Sequence, residues 1–452
     1  MTSTLHETLR GRLVLPGDPG WDGARRSWNL SIDQRPAAVT EVASADDVQD
    51  VVRLAAREGL RVAPQATGHG SEALGPLDDA VLLKTSGLRG VVMRPEARTV
   101  RIGAGVLAGE AAAAAGKHGL APVLGLAATV GVAGLALGGG TGWLSRAHGL
   151  AANNVRAFEV VTAAGERLRV DADAEPDLFW ALRGGGGRFA IVTALELEAH
   201  PVGEVSAGMI AWPAEHAADV LDQFRGWTAE APESLGAVLR YLDMPPIDAV
   251  PEPLRGRRVV AVVAAYLGTE ADSRGVIAPL RGSREVLLDT FGPVSPADLV
   301  RVAGDPEAPI PATGAAFQVG ELTSGFADAL AELIAGGELA PLTTLELRLL
   351  GGAMARSAEG HGALARLEGA FSVFTGGAAP DAEAGAAAQE RMAAVRERLA
   401  PWTTPRALLS SAPAGTDPAT AFDEATWARL QRIRATFDPD RMLVSSYPEP
   451  AA

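Results

Sequence analysis

The spacing of apolar and polar positions switches repeatedly between helical and strand periods. In "SADDVQDVVRLAAREGLRV", Val48, Val51, Val52, Leu54 and Ala55 recur at helical intervals. Ser44 stands at the N-cap, acids fill the first turn and Gly59 is the stop, so a helix is predicted over 44–59. "AVLLKTSGLRGVVMRPEARTVRIGAGV" instead breaks into short β-rich runs divided by turn residues, and the alanine-rich "LAGEAAAAAGKHG" returns to helix. Further strands are predicted in "VRAFEVVTAAGERLRV" and "RFAIVTALELEAHPV", joined through "PDLFWALRGGGG". The composition shifts after His200 and Pro201. From there strands such as "VVAVVAAYLG" and "TTLELRLLGGA" mix with helices such as "GAAAQERMAAVRERLA". "DEATWARLQRIRATFDPDRMLVSSYPEP" closes as an amphipathic helix and a short extended tail, and no tandem repeat is visible.

Length and composition sharpen this picture. The 452 residues exceed the roughly 250–300 at which one core stops growing, so two α+β domains are expected. A content of 47% hydrophobic and 21% charged residues is that of a globular protein. The net charge of −15 argues against a grip on nucleic acid or an anionic membrane and in favour of a small-molecule partner. Nearly all positive charge is arginine, Lys84 and Lys117 being the only lysines. The absence of cysteine removes disulfides, thiolate metal sites and thiol nucleophiles. The opening "MTSTLHETLRGRLVLPGD" has no apolar signal core, and no run approaches the ~18 apolar residues of a membrane span, so a soluble cytoplasmic protein is expected.

Two stretches carry the candidate chemistry. "APQATGHGSEALG" matches the dinucleotide pattern G-x-G-x-x-A at Gly68, Gly70 and Ala73. That motif needs a helix opening at its second glycine, which Gly75 and Pro76 would break, and an acid about 20 residues on, which is missing. The seven histidines form no pair with carboxylates at ligand spacing, and no G-x-S-x-G elbow occurs. The block Gly125–Val155 packs Gly131, Gly134, Gly138, Gly139, Gly140 and Gly142 too closely for regular structure. It strips the backbone of side chains, so that peptide N–H groups can approach a diphosphate or a flat ring.

In order along the chain, "QATGHGSEALG", "GLAATVGVAGLALGGGTGWLSRAHGLAANNV" and "LFWALRGGGGRFAIVTALELEAHP" resemble the FAD-binding domain of the vanillyl-alcohol oxidase superfamily, in its berberine-bridge-enzyme-like branch. The resemblance is strong over about residues 30–201, and "FDPDRMLVSSYP" resembles the family's closing segment. It implies a two-domain α+β fold of PCMH type: an FAD-binding domain at 1–201, a substrate domain at 202–415 built on an antiparallel sheet with covering helices, and a return to the FAD domain at 416–452. It also implies that His69 bonds the 8α carbon of the flavin. Imidazole suits that role because it is largely unprotonated near neutral pH. The position that carries a second, cysteinyl link in some relatives is Ala127, so His69 alone would attach the FAD. Val130 falls where relatives control oxygen access, and valine there is similar to the oxidases.

By the same carry-over, Gln65, Ala66, Thr67, Gly68, Gly70, Thr129, Gly131, Gly134, Leu135, Gly138, Gly139, Gly142, Leu144, Val155, Ile191 and Tyr447 are expected at the cofactor. Arg188 replaces an asparagine usual in the family's "GGGGNFG". The expected reaction is oxidation of an alcohol, amine or hydroxylated ring carbon, with O2 as electron acceptor and hydrogen peroxide as product. A Tyr-x-Asn base is missing from "RALLSSAPAG", which leaves Tyr447 and Glu346 as catalytic candidates. Glu346 alternates with leucines beside Arg348, where a structural ion pair is the simpler reading. A dehydrogenase using another acceptor, a nicotinamide-dependent enzyme and a non-redox flavoprotein stay open.

Overall fold

The computed structural model describes residues 10–282 and 285–447. Its first layer is a four-stranded sheet in the order Arg12–Val14, Ala38–Glu41, Ala80–Lys84, Arg61–Gln65, with the last three strands parallel. The predicted helix is Ala45–Glu58, capped by reciprocal bonds between Ser44 and Asp47 and ended by Gly59 at φ 68°. It forms the crossover that makes strand Arg61–Gln65 parallel to its neighbour, and so aims the end of that strand, and the loop after it, at one edge of the domain. The second sheet is antiparallel around the long strand Ile191–Pro201, which pairs with Thr99–Gly103, Val155–Val161 and Leu120–Pro122.

Beyond Pro201 the chain builds one antiparallel sheet from Val205–Pro213, Arg258–Leu267, Leu235–Asp243, Thr344–Leu349, Phe371–Ala378 and Ala312–Val319, in that spatial order, with two-residue strands at its edge. Leu239, Leu347 and Val373 share one face of it and bury Phe224 and Phe326 of helices Ala217–Ala229 and Ser324–Ala335. Val238 and Val263 point the other way and pack on Trp143 of the first domain. The return to the first core comes earlier than the expected residue 416, because Leu350, Met354, Leu364, Leu367, Leu408 and Leu409 already belong to it.

The glycine block is not wholly irregular, as its glycine content implied. It contains the short helix Val132–Leu137, whose sequence VAGLAL holds a single glycine. The rest of the block threads between strands, and a Cβ on Gly142 would collide with the carbonyl oxygen of Leu124. Gly142→Ala should therefore cost at least about 2 kcal/mol in urea unfolding, since the obstacle is backbone that cannot turn aside. An unchanged midpoint would contradict this packing.

Candidate functional site

A cleft of about 1260 Å³, its open mouth included, runs along the end of the parallel sheet. One wall is the loop Gln65–Gly70, a second is Val130, Gly131, Gly134, Leu135, Leu137 and Gly138 from the glycine block, and a third is Gly186–Ile191 without Phe189. Leu409 and Ser410 and the tail Val444–Tyr447 close it. The tail is held as an extra parallel edge: Val62 N–H donates to Met442 O at 2.9 Å, and Val444 N–H to Val62 O at 2.8 Å. The buried Asp438 carboxylate accepts from the N–H groups of Met442 and Leu443.

Gly68 is required twice in the first wall. Its φ is +87°, and a Cβ there would lie 2.7 Å from the Cβ of Ser27. The close turn sets His69 against Trp28, the two rings stacked with centroids 4.2 Å apart and planes 19° apart. Trp28 N–H donates to Thr67 O at 2.8 Å, the Thr67 hydroxyl lies 2.7 Å from His69 Nδ1, and that of Thr129 lies 3.4 Å from Nε2. Desolvation pulls the His69 pKa down to about 4, so the ring is neutral at physiological pH and one of its nitrogens is unprotonated. Ser71–Ala73 forms a single 3₁₀ turn and Gly75 takes φ +72°, so no helix follows to make a dinucleotide motif.

Gln65, Ala66, Thr67, Gly68, His69, Gly70, Val130, Gly131, Gly134, Leu135, Gly138, Ile191 and Tyr447 thus meet at one cleft. Thr129 touches His69 from beside it. Ala127 and Gly139 do not line the cleft, and Gly142 serves the backbone crossing at Leu124. Leu144 and Val155 are buried in apolar clusters and act in packing.

The two catalytic candidates sit differently: Tyr447 lines the cleft and Glu346 does not. The Tyr447 hydroxyl donates to Ala412 O at 2.6 Å, its own N–H donates to Ala73 O, and burial raises its pKa above the ordinary phenol value. Tyr447 is thus tied down at both its backbone and its hydroxyl, as an anchor of the tail would be. Glu346 lies outside the cleft lining. Its buried carboxylate takes ion pairs at 2.7 Å from Arg240 and from Arg348, and these two cations hold its pKa below the usual range against the cost of burial. That is a structural network on the sheet.

Sequence reasoning missed Trp28, Leu409, Ser410, Ser445 and Ser446. Leu409 and Ser410 belong to "RALLSSAPAG", noticed only for the tyrosine it lacks. The electrostatics of the cleft are a further finding. In a chain of net charge −15, Arg188 is the single charged side chain among the described residues that line it, and none is acidic. Among the described residues no helix is long and apolar enough to cross a membrane, and no cluster of three or more His, Cys, Asp or Glu suits a metal ion.

Comparison with known proteins bears on what such a cleft holds. Residues 36–171 match the family described as an FAD binding domain. The chain is 34% identical to (R)-6-hydroxynicotine oxidase of Paenarthrobacter nicotinovorans over 206 residues, 45% of each protein. It is 28% identical over 277 residues to an uncharacterized FAD-linked oxidoreductase of Bacillus subtilis, 60% of this chain and 59% of that one. The chain thus matches about half the length of these curated relatives. Among solved structures, 6-hydroxy-D-nicotine oxidase from Arthrobacter nicotinovorans superposes with a TM-score of 0.85 and 26% identity over 99% of both chains. A berberine-bridge-enzyme-like protein of Physcomitrella patens shares the fold at a TM-score of 0.84 and 20% identity, covering 100% of both chains. Residues 36–171 thus match an FAD binding domain, and the chain as a whole shares the fold of 6-hydroxy-D-nicotine oxidase and of a berberine-bridge-enzyme-like protein.

Proposed function

We propose that the protein is an FAD-dependent oxidase of a small molecule, with the flavin attached through His69 alone. The observation that carries this reading is the His69 imidazole, which is neutral, stacked on Trp28 and held at Nδ1 by Thr67 at the rim of an acid-free cleft. The residues fit an anionic, flat cofactor: Gly134, where a Cβ would meet nothing within 4 Å, leaves the second wall open, and Arg188 supplies the positive charge of the wall. Bound flavin supplies the redox chemistry, accepting a hydride from an alcohol, amine or hydroxylated ring carbon and passing the electrons to O2 to give H2O2.

The chain's own part is to hold and shield. Thr67 and Trp28 fix the rotation of the His69 ring, which leaves its lone pair aimed consistently, while desolvation keeps that nitrogen unprotonated. Val130 and Leu135 give the cleft an apolar wall beside the loop. The substrate, expected to be a soluble natural product or sugar, would enter between the cleft and the second domain's sheet, with no residue of the described set in the arrangement of a dedicated base.

Purified protein should be yellow, and turnover of a responsive substrate in air should yield close to one H2O2 per product, read by a peroxidase-coupled assay. Substrate-driven bleaching with slow recovery in air and rapid recovery on an added dye would instead assign a dehydrogenase. Thr67→Val removes the Nδ1 contact and should slow flavin attachment to reconstituted apoprotein by roughly tenfold, about the effect of one positioned hydrogen bond. The attachment rate should stay level from about pH 8 down to about pH 5 and fall as pH approaches the His69 value of about 4, where the lone pair is protonated. A rate that follows an ordinary histidine, already declining near pH 6.5, would contradict the desolvated ring.

A further inference from the structure

Lys84 ends the strand Ala80–Lys84, whose other residues are apolar, and is itself 7% exposed. Its register partners are Gln65 on one neighbouring strand and Glu41 on the other. The ammonium donates to Gln65 Oε1 and to Arg26 O, the latter at 2.7 Å, and Gln65 Nε2 passes the chain on to Gln34 Oε1 at 3.1 Å. Among the described residues no carboxylate comes within ion-pair distance of it. Glu41 is engaged at the surface by Arg12, at 2.9 and 2.7 Å. This differs from the other buried cation of a strand, Arg240, which faces both Asp305 and Glu346.

Removing an ammonium from water is costly unless an anion faces it, and here Glu41, which acts on Lys84 electrostatically, stays beyond ion-pair distance and is held by Arg12. The side chain that receives the charge, Gln65, lines the cleft, so the cation sits one residue behind the wall. FAD carries its formal negative charge on the diphosphate, while its rings and sugar are neutral near pH 7. We propose that Lys84 is a cofactor-binding residue whose charge, relayed through the Gln65 amide, balances the diphosphate of FAD in the cleft. The inference rests on the FAD reading above. Desolvation pulls the ammonium down to about pH 8 before any anion is present, in keeping with a charge held ready for one.

The test uses the full chain carrying His69→Ala, so that flavin exchanges freely and is titrated by quenching of its fluorescence. In that background Lys84→Met should weaken FAD at least about tenfold, while riboflavin, which has no phosphate, binds within about twofold of the parent. Lys84→Arg should keep most of the FAD affinity. Equal weakening of both flavins would make Lys84 a strut for the loop, and unchanged FAD affinity would remove it from the site; either result overturns the proposal. A second reading leaves Lys84 in place. Between about pH 7 and 9 FAD affinity should fall as the ammonium deprotonates and riboflavin affinity should not, and Lys84→Arg should abolish the dependence. The other charged groups near it are Glu41, Arg12 and Arg26. A flat profile overturns the proposal. Failure of the His69→Ala chain to bind either flavin would overturn the cofactor reading itself, and this inference with it.

Discussion

A histidine is kept dry and neutral at the tip of a loop whose turn requires glycine at Gly68, and much of the first domain serves that constraint. The loop leaves the sheet at Gln65 because the helix Ala45–Glu58 makes strand Arg61–Gln65 run parallel to its neighbour. It turns back at Gly68, where both the positive φ and the contact with Ser27 exclude any side chain. Trp28 covers one face of the imidazole, Thr67 holds its edge, and the tail Met442–Val444 seals the strand's free side. Each of these elements comes from a different part of the chain, so the ring's low pKa is a property of the tertiary structure rather than of the motif.

The same assembly explains how an acidic protein can receive an anion. Carboxylates are abundant but pair with arginines at the surface, as Glu41 does with Arg12 and Glu159 with Arg101 at 2.6 Å. What reaches the cleft is glycine backbone, apolar side chains, hydroxyls, Arg188 on the wall and Lys84 behind it. Net charge therefore speaks to the partners met by the whole surface, whereas the local cation bears on what the cleft accepts.

Local signals were legible, and long-range ones were not. Ser44, Asp47 and Gly59 define a helix through bonds within a few residues of each other, and structure follows the pattern closely there. The histidine loop and the glycine block were visible because their odd composition has few other uses. Their meeting was read through a family resemblance. Tyr447 could be read either as a base or as a tail anchor, because nothing nearby in sequence reveals that the Ala412 carbonyl, 35 residues away, accepts a hydrogen bond from its hydroxyl. Glu346 faces an arginine from another strand, so its pairing was foreseen as the simpler reading but its full burial was not. Lys84 did leave a trace, as one of two lysines in the chain and the sole polar end of "AVLLK". Its significance lies in what surrounds it.

The most direct measurement is the intact mass of the denatured polypeptide, wild type beside His69→Ala, after expression with flavin available. The account predicts a wild-type chain heavier by one FAD, with the extra mass carried by the peptide containing His69, and a variant at the mass of the bare polypeptide. A bare wild-type chain, or a His69→Ala chain that still carries the flavin, would contradict it.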